Sequence, residues 1–284
     1  MNAKANPVVV GISDLQPAAL RWALFEARQG SSGLRIVHAV GLPAQAVTFY
    51  SGSDMFEELR TAGIAVIEEV ERFVDNENRL HEVNDVTYEL STSSPAETLE
   101  RESESARLLV LGSDQVSWAG RLVGGAVADH LARHAHCPVV VVPGKAKPLA
   151  ATGGVVVALD GQSTDAGLLK FAFEHAGSLG SVLHVLHAIP EGMTASDAEL
   201  VRANISEVLA GWWELYPDVK IEPYFTIGNA TEACERATQD AELVVVGRAP
   251  SRSVPAALLR PLAARILEHA SCPVAVVPSD FHDA

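Results

Sequence analysis

Basic residues are scarce in this chain: 21 Lys and Arg stand against 36 Asp and Glu, giving a formal net charge of −15 and a pI of about 5.0. Nucleic acid and anionic membrane surfaces need clustered cations to offset phosphate charge, so this balance argues against both as partners and leaves only a local basic pocket open. Cysteine is scarcer still. The three cysteines contain no CxxC pair and form an odd set, which argues against a disulfide framework or a metal site; Cys137 and Cys272 read as buried small residues at strand starts and Cys234 as a helix residue. The longest apolar runs are strand-sized, well short of the roughly 20 residues a membrane helix needs. The opening MNAKANP has no apolar segment after Lys4, so the expectation is no secretory signal and a cytoplasmic protein. There is no GxSxG elbow, no GxxxxGK[ST] loop and no HExxH, which sets efficient catalysis behind binding as the expected activity.

What the chain does contain is a duplication. Its 284 residues, 48% hydrophobic and 20% charged, suit two globular domains of ordinary size. Gly112 precedes Cys137-Pro138-Val139 by 25 positions, and Gly247 precedes Cys272-Pro273-Val274 by the same 25. The match extends outward: LLVLG answers LVVVG, VADHLARHAHCP answers LAARILEHASCP, VVVGISD (8–14) answers VVVALDG (155–161), and IVHAV (36–40) answers VLHAI (185–189). A register shift of two residues between the last two matches is a change of loop length. Self-similarity over about half the chain indicates a duplicated domain, since solenoid repeats are much shorter. The expected domains are 1–145 and 154–284, joined by a linker at 146–153 within GKAKPLAATGG.

Each half alternates apolar β-branched runs with helix-periodic segments. Strands are expected near 8–11, 34–40, 86–91, 107–112 and 138–143, then 155–159, 182–188, 220–226, 242–247 and 273–278. Runs such as VVVV are apolar on both faces, as a parallel strand covered by helices on both sides requires. The fold class is therefore α/β: two tandem doubly wound domains, each a five-stranded parallel sheet flanked by helices. Pro17 and Gly30 bracket the first helix. Capping-box patterns stand at Ser94-x-x-Glu97, with Pro95 at the first helical position, and at Asn229-x-x-Glu232. A helix over 54–79 carries the stripe Leu59, Ile67, Val70 and Val74; its counterpart, starting at Ser196-x-x-Glu199, carries Val201, Ile205, Val208 and Trp212. The stripe containing Trp212 and Trp213 reads as packing, with at least one ring covering the sheet.

In a doubly wound sheet, ligands sit beyond the carboxyl ends of the strands where strand order reverses. That points to the loops leaving strands one and four of each half. In the first half these are Gly11-Ile12-Ser13-Asp14 and Gly112-Ser113 through Gly124-Gly125-Ala126; in the second, Leu159-Asp160-Gly161 and Gly247-Arg248 through Arg260-Pro261. The first loop, the glycine after strand four and the helix ending HAxCPVxVV together resemble the universal stress proteins in their tandem two-domain form, over nearly the whole chain. The resemblance implies a stress-response protein that commonly binds ATP, two halves related by a pseudo-two-fold, and pairing or further self-association through the last strands, 138–143 and 273–278. It also implies a phosphate loop of Gly, two residues, Gly, nine residues, Gly, then Ser or Thr, with an aspartate in the first loop.

Neither half keeps that pattern whole. The first has Gly112 and Gly125, but Gln115 stands for the second glycine, Ala126 for the hydroxyl residue and Ser13 for the aspartate. The second keeps Asp160 and Gly247, with Pro250, Arg260 and Pro261 elsewhere. Phosphate binding of this kind uses backbone N–H groups at a helix N-terminus. Ala126 still offers its N–H, whereas Pro261 has none; Arg260 could hold phosphate only through its guanidinium, in another geometry. Losing one hydrogen bond to a charged group costs about 1.5–3 kcal/mol, so the first half reads as a weakened site and the second as a poorer one. On this reading Gly112, Ser113, Gly124, Gly125, Ala126 and Val127 face the triphosphate of ATP, with Mg accompanying it. Gly11, Ile12, Ser13 and Val40 line the adenosine side, and Asp160 and Gly247 mark the second pocket. Simpler readings stand beside these: turn glycines at 112 and 247, and an Asx turn at Asp160-Gly161. The competing functions are a nucleotide-free dimerisation module and a slow ATPase. His130, His134 and His136 read as helix C-terminal residues, with no metal expected, and His38 and His187 as core or rim positions.

Overall fold

The computed structural model describes residues 6–41, 53–79, 83–113, 127–146, 153–160, 166–248, 266–267, 269–279 and 281, and the side chains of all but 53–56 among these. Two compact units divide the chain, Met1–Gly144 and Lys145–Ala284.

In the first unit the order is β1 (Val8–Ile12), α1 (Pro17–Gln29), β2 (Leu34–Ala39), α2 (Ser53–Asn78), β3 (Val86–Ser91), α3 (Pro95–Ser103) and β4 (Leu108–Ser113), then helical residues 127–134 (α4) and β5 (Val139–Pro143). The strands run β3-β2-β1-β4-β5, each parallel to its neighbour. The second unit has β6 (Val155–Ala158), α5 (Ala166–Leu179), β7 (Leu183–Ile189), α6 (Ala195–Leu215), β8 (Ile221–Ile227), α7 (Ala230–Ala237), β9 (Leu243–Gly247) and β10 (Val274–Val277). Its order β8-β7-β6-β9-β10 is the same arrangement, again parallel. In both units strand order reverses between the first strand and the fourth, so a crevice is expected above β1 and β4, and above β6 and β9.

The apolar runs explain the sheets. Val8, Val9 and Val10 are almost wholly buried, as are Leu109 and Val110 beside them, because helices cover both faces. Helix α1 buries Ala19, Leu20, Trp22, Ala23, Leu24 and Ala27, so it is a core helix with a narrow wet face. Helix α2 buries Val70 and Val74 and half-buries Leu59 and Ile67, the expected stripe. Phe173 of α5 is fully buried and stacks against Trp212 at 5.5 Å between centroids. Trp213 does not pack: it is 64% exposed.

Helix ends depart from the sequence reading in instructive ways. Ser94 is the N-cap of α3 with Pro95 first, but its side chain makes no cap bond; Asn229 does cap α7, accepting from the Thr231 N–H. Helix α6 is capped by Thr194, whose hydroxyl accepts from the Asp197 N–H at 3.2 Å, rather than by Ser196 with Glu199. Threonine followed three residues later by aspartate offers the same reciprocal chemistry one half-turn earlier. Gly30 follows α1 as expected but is right-handed, φ −82°. The left-handed residue is Ser31, φ 46°, where the second unit has Gly180 at φ 61°. Gly30 instead leaves room for Arg107, since a methyl group there would lie 1.5 Å from a guanidinium nitrogen.

A matching latch ties the turn entering the last strand of each unit to the end of the helix that precedes the fourth strand. The Ser103 hydroxyl accepts from the His136 N–H at 3.0 Å and donates to the Glu100 carbonyl. Thr238 does the same with the Ser271 N–H and the Glu235 carbonyl. Nearby, Cys137, Cys234 and Cys272 are buried thiols, and desolvation pushes Cys137 and Cys234 up to about 12.

Candidate functional site

The crevice of the first unit is built by strand register. Gly11 pairs with Val37 of β2 and Leu111 of β4, and Ile12 with His38, so the residues leaving β1 stand between the ends of β2 and β4. His38 fixes this edge. Its Nδ1–H donates to the Ile12 carbonyl at 2.9 Å, with the ring 7% exposed. The second unit repeats the bond: His187 Nδ1–H donates to the Leu159 carbonyl at 2.8 Å. Both histidines are thus core residues with a structural bond. The repetition places Ser13, which follows Ile12, and Asp160, which follows Leu159, at the same point of their crevices, and both side chains are exposed.

The candidate residues divide on inspection. Gly11 is buried, and a methyl group there would meet the tip of the Leu99 side chain of α3 at 2.6 Å, so the helix packs closely over this end of β1. Val40 is half-buried, its N–H donating to the Ser91 carbonyl, and its side chain lies where α2 passes at Gly63. It forms the β2 wall. Gly112 and Ser113 end β4, pairing with Val142 and Pro143, and are half-buried at the mouth. Gly247 ends β9 in the same way, opposite Val277. Val127 opens the described part of α4. Gly124, Gly125 and Ala126, with Gln115, Pro250, Arg260 and Pro261, lie outside the described residues.

Two groups at this mouth have unmet polar atoms. Asp14 Oδ1 and Gln16 Oε1 are buried without a hydrogen-bond partner. Burial holds the Asp14 carboxyl above its ordinary value; a hydrogen bond from Ser13 and the charge of His38 oppose the rise, and Glu69 of α2 adds to it. These neighbours put Asp14 on the β2 side of the crevice. Gln16, only 5% exposed, lies on the β4 side against Gly112. A glutamine directly before Pro17 occupies a cap position it is poorly suited to fill, the one signal in the chain that could have singled out Gln16.

The histidine group of α4 lies elsewhere. His130 bonds Glu100 at 2.6 Å and stacks on His134, whose Nδ1–H donates to the His130 carbonyl. The hydrogen bond from His130 lowers the Glu100 carboxyl. The corresponding face of the second unit is a hollow of about 310 Å³ lined by Glu232, Glu235, Arg236 and His269 among others. It sits towards the end of α7, where the chain enters β9 and β10, at the edge opposite the strand-end loops.

Two units with the same parallel strand order and helix-covered strands define, as a class, a tandem doubly wound α/β protein. The chain belongs to the universal stress protein family, whose model matches residues 5–143 and 217–278. A universal stress protein of Mycobacterium tuberculosis is 30% identical over 259 residues, covering 84% of this chain and 85% of the relative. One from Mycolicibacterium smegmatis is 29% identical over 285 residues, covering 95% and 96%. Among solved structures, a universal stress protein from Archaeoglobus fulgidus superposes with a TM-score of 0.71 at 14% identity, covering 96% of this chain and 97% of that one. Another, from Pseudomonas aeruginosa, is described as a putative universal stress protein and gives 0.64 at 20% identity, covering 96% and 93%. Among the described residues no helix is long and apolar enough to cross a membrane.

Proposed function

We propose that this universal stress protein acts in the cytoplasm as a stress-response binding protein, and that the crevice of its first domain takes one adenine nucleotide while that of the second is the poorer site. The observation that carries this reading is Asp14 Oδ1, a carboxylate oxygen buried without a partner at the carboxyl end of β1, on the β2 side. A buried acceptor of this kind wants a donor, and leaving it unpaired is costly. The ribose hydroxyls and the exocyclic amine of adenosine are donors of the right kind. On the β4 side Gly112 and Ser113 are followed in sequence by Gly124, Gly125 and Ala126, whose backbone N–H groups, with that of Val127 in α4, would suit the phosphates of ATP. Mg would arrive with the triphosphate and balance its charge. The residues named bind and orient; none is arranged as a nucleophile or base, so the activity proposed is binding.

Equilibrium dialysis of the full chain with labelled ATP tests the assignment. Wild type is expected to bind one nucleotide, Gly125→Arg to lose it, and Asp160→Ala to retain it. Loss on Asp160→Ala with retention by Gly125→Arg would reverse the order of the two domains.

A further inference from the structure

Gln16 is unused by the nucleotide reading, yet it is the most enclosed polar side chain at the crevice mouth. It stands at the N-cap of α1 but makes no side-chain cap bond. Its amide turns across the mouth instead. Nε2 donates to Ser13 Oγ over a long 3.4 Å, and the amide rests on Gly112. A methyl group built on Gly112 would stand 2.7 Å from Gln16 Cδ and 2.8 Å from both Nε2 and Oε1. The space that a glycine leaves open at the end of β4 is therefore filled by another part of the same chain. The residue is 5% exposed, and Oε1 has no partner.

Position and bonding together give the amide its role. Gly112 lies at the end of β4, on the side assigned above to the phosphates, whereas Asp14 and Val40 lie on the side assigned to adenosine. An amide seated on Gly112 obstructs the first and touches the second only through its long bond to Ser13. It is also held loosely, by one long hydrogen bond and with a buried acceptor that would regain water on swinging out. We infer that Gln16 sets the affinity and selectivity of the first-domain crevice, its amide occupying the approach of a phosphate group to Gly112 and moving aside when a phosphorylated nucleoside binds. This rests on the nucleotide reading above. The apparent affinity for such a ligand is reduced by the fraction of molecules in which the amide is out.

The test uses the full chain with Gln16→Ser, which removes the amide while supplying α1 with a good cap, and Gln16→Ala as a second variant. Calorimetric titration with ATP and with adenosine is expected to show ATP tightening by about three- to tenfold in both variants, as release of a mostly closed gate requires, and adenosine unchanged. ATP affinity that is unchanged or weaker, or adenosine tightening equally, overturns the assignment. Binding by wild type without a gain in the variants rejects the gate alone; binding by none of the three rejects the nucleotide reading and the gate with it. A readout free of nucleotide checks the geometry: Gly112→Ala should lower the melting temperature more in wild type than in Gln16→Ser. Equal losses in the two backgrounds would remove the packing on which the inference stands.

Discussion

A half-buried carboxylate is the residue that most distinguishes this crevice from an ordinary loop. Because burial raises Asp14 above its ordinary value of 3.8, the folded protein favours its protonated form. The stabilising contribution of such a group is complete below the ordinary value and is lost as pH rises through the folded value. Asp14→Asn should therefore be more stable than wild type near neutral pH, with the gap narrowing as pH falls towards 4, measured by urea denaturation across that range. A gap that stays constant or widens on acidification would show that Asp14 is not held in a desolvated place. Gln16 makes the complementary point about legibility. Its identity was plain in the sequence, but its contact with Gly112 is made only when β1 and β4 become neighbours. Gly11 has a neighbour of the same kind: a methyl group there would meet the tip of the Leu99 side chain, a contact that exists only once α3 has packed on β1.

At the scale of elements, the turn after α1 and the turn after α5 form a natural comparison. Ser32 N–H reaches the Ala27 carbonyl and Ser181 N–H the Ala176 carbonyl, both at 2.9 Å, so the two helices end in the same hydrogen-bonded loop. One places serine at the left-handed position and the other glycine. A left-handed conformation costs an L-residue about 1–2 kcal/mol, part of which glycine returns through its greater freedom when unfolded. Ser31→Gly should stabilise the chain by about 0.5–1 kcal/mol, visible as a higher denaturant midpoint with unchanged slope; a lower midpoint would mean that Ser31 contributes more than its backbone costs. Strands were legible to within a residue or two because burial on both faces leaves a run such as VVVV few alternatives. Caps were less so. Thr194 with Asp197 and Ser196 with Glu199 satisfy one pattern two positions apart, and only the path of the chain from β7 decides between them.

For the molecule as a whole, duplication and charge are the governing facts. The two-unit division and the repeated order of strands follow from the matched segments, and the family assignment covers both. The crevice was less legible than the sheets, since its loops are where the two halves diverge. A net charge of −15 would surround the nucleotide proposed above, which is itself anionic. Long-range repulsion of this sort is screened by salt. Raising NaCl from about 20 to about 150 mM, a range over which the screening length shortens from roughly 20 to 8 Å, should strengthen ATP binding or leave it level. A marked fall would indicate a basic pocket that the described residues do not contain.

The bonds from His38 to Ile12 and from His187 to Leu159 bear on how the halves could diverge at all. Each clamps the chain at the end of its first strand, on the last residue of β1 and on the residue just after β6, upstream of the segment whose length differs by two residues between the copies. Insertions and deletions beyond the clamp leave Ser13 and Asp160 at the same station. The entry loop is thus an interchangeable part with a fixed socket, and transplanting the longer loop into the first half would alter the crevice without re-registering the sheet beneath it.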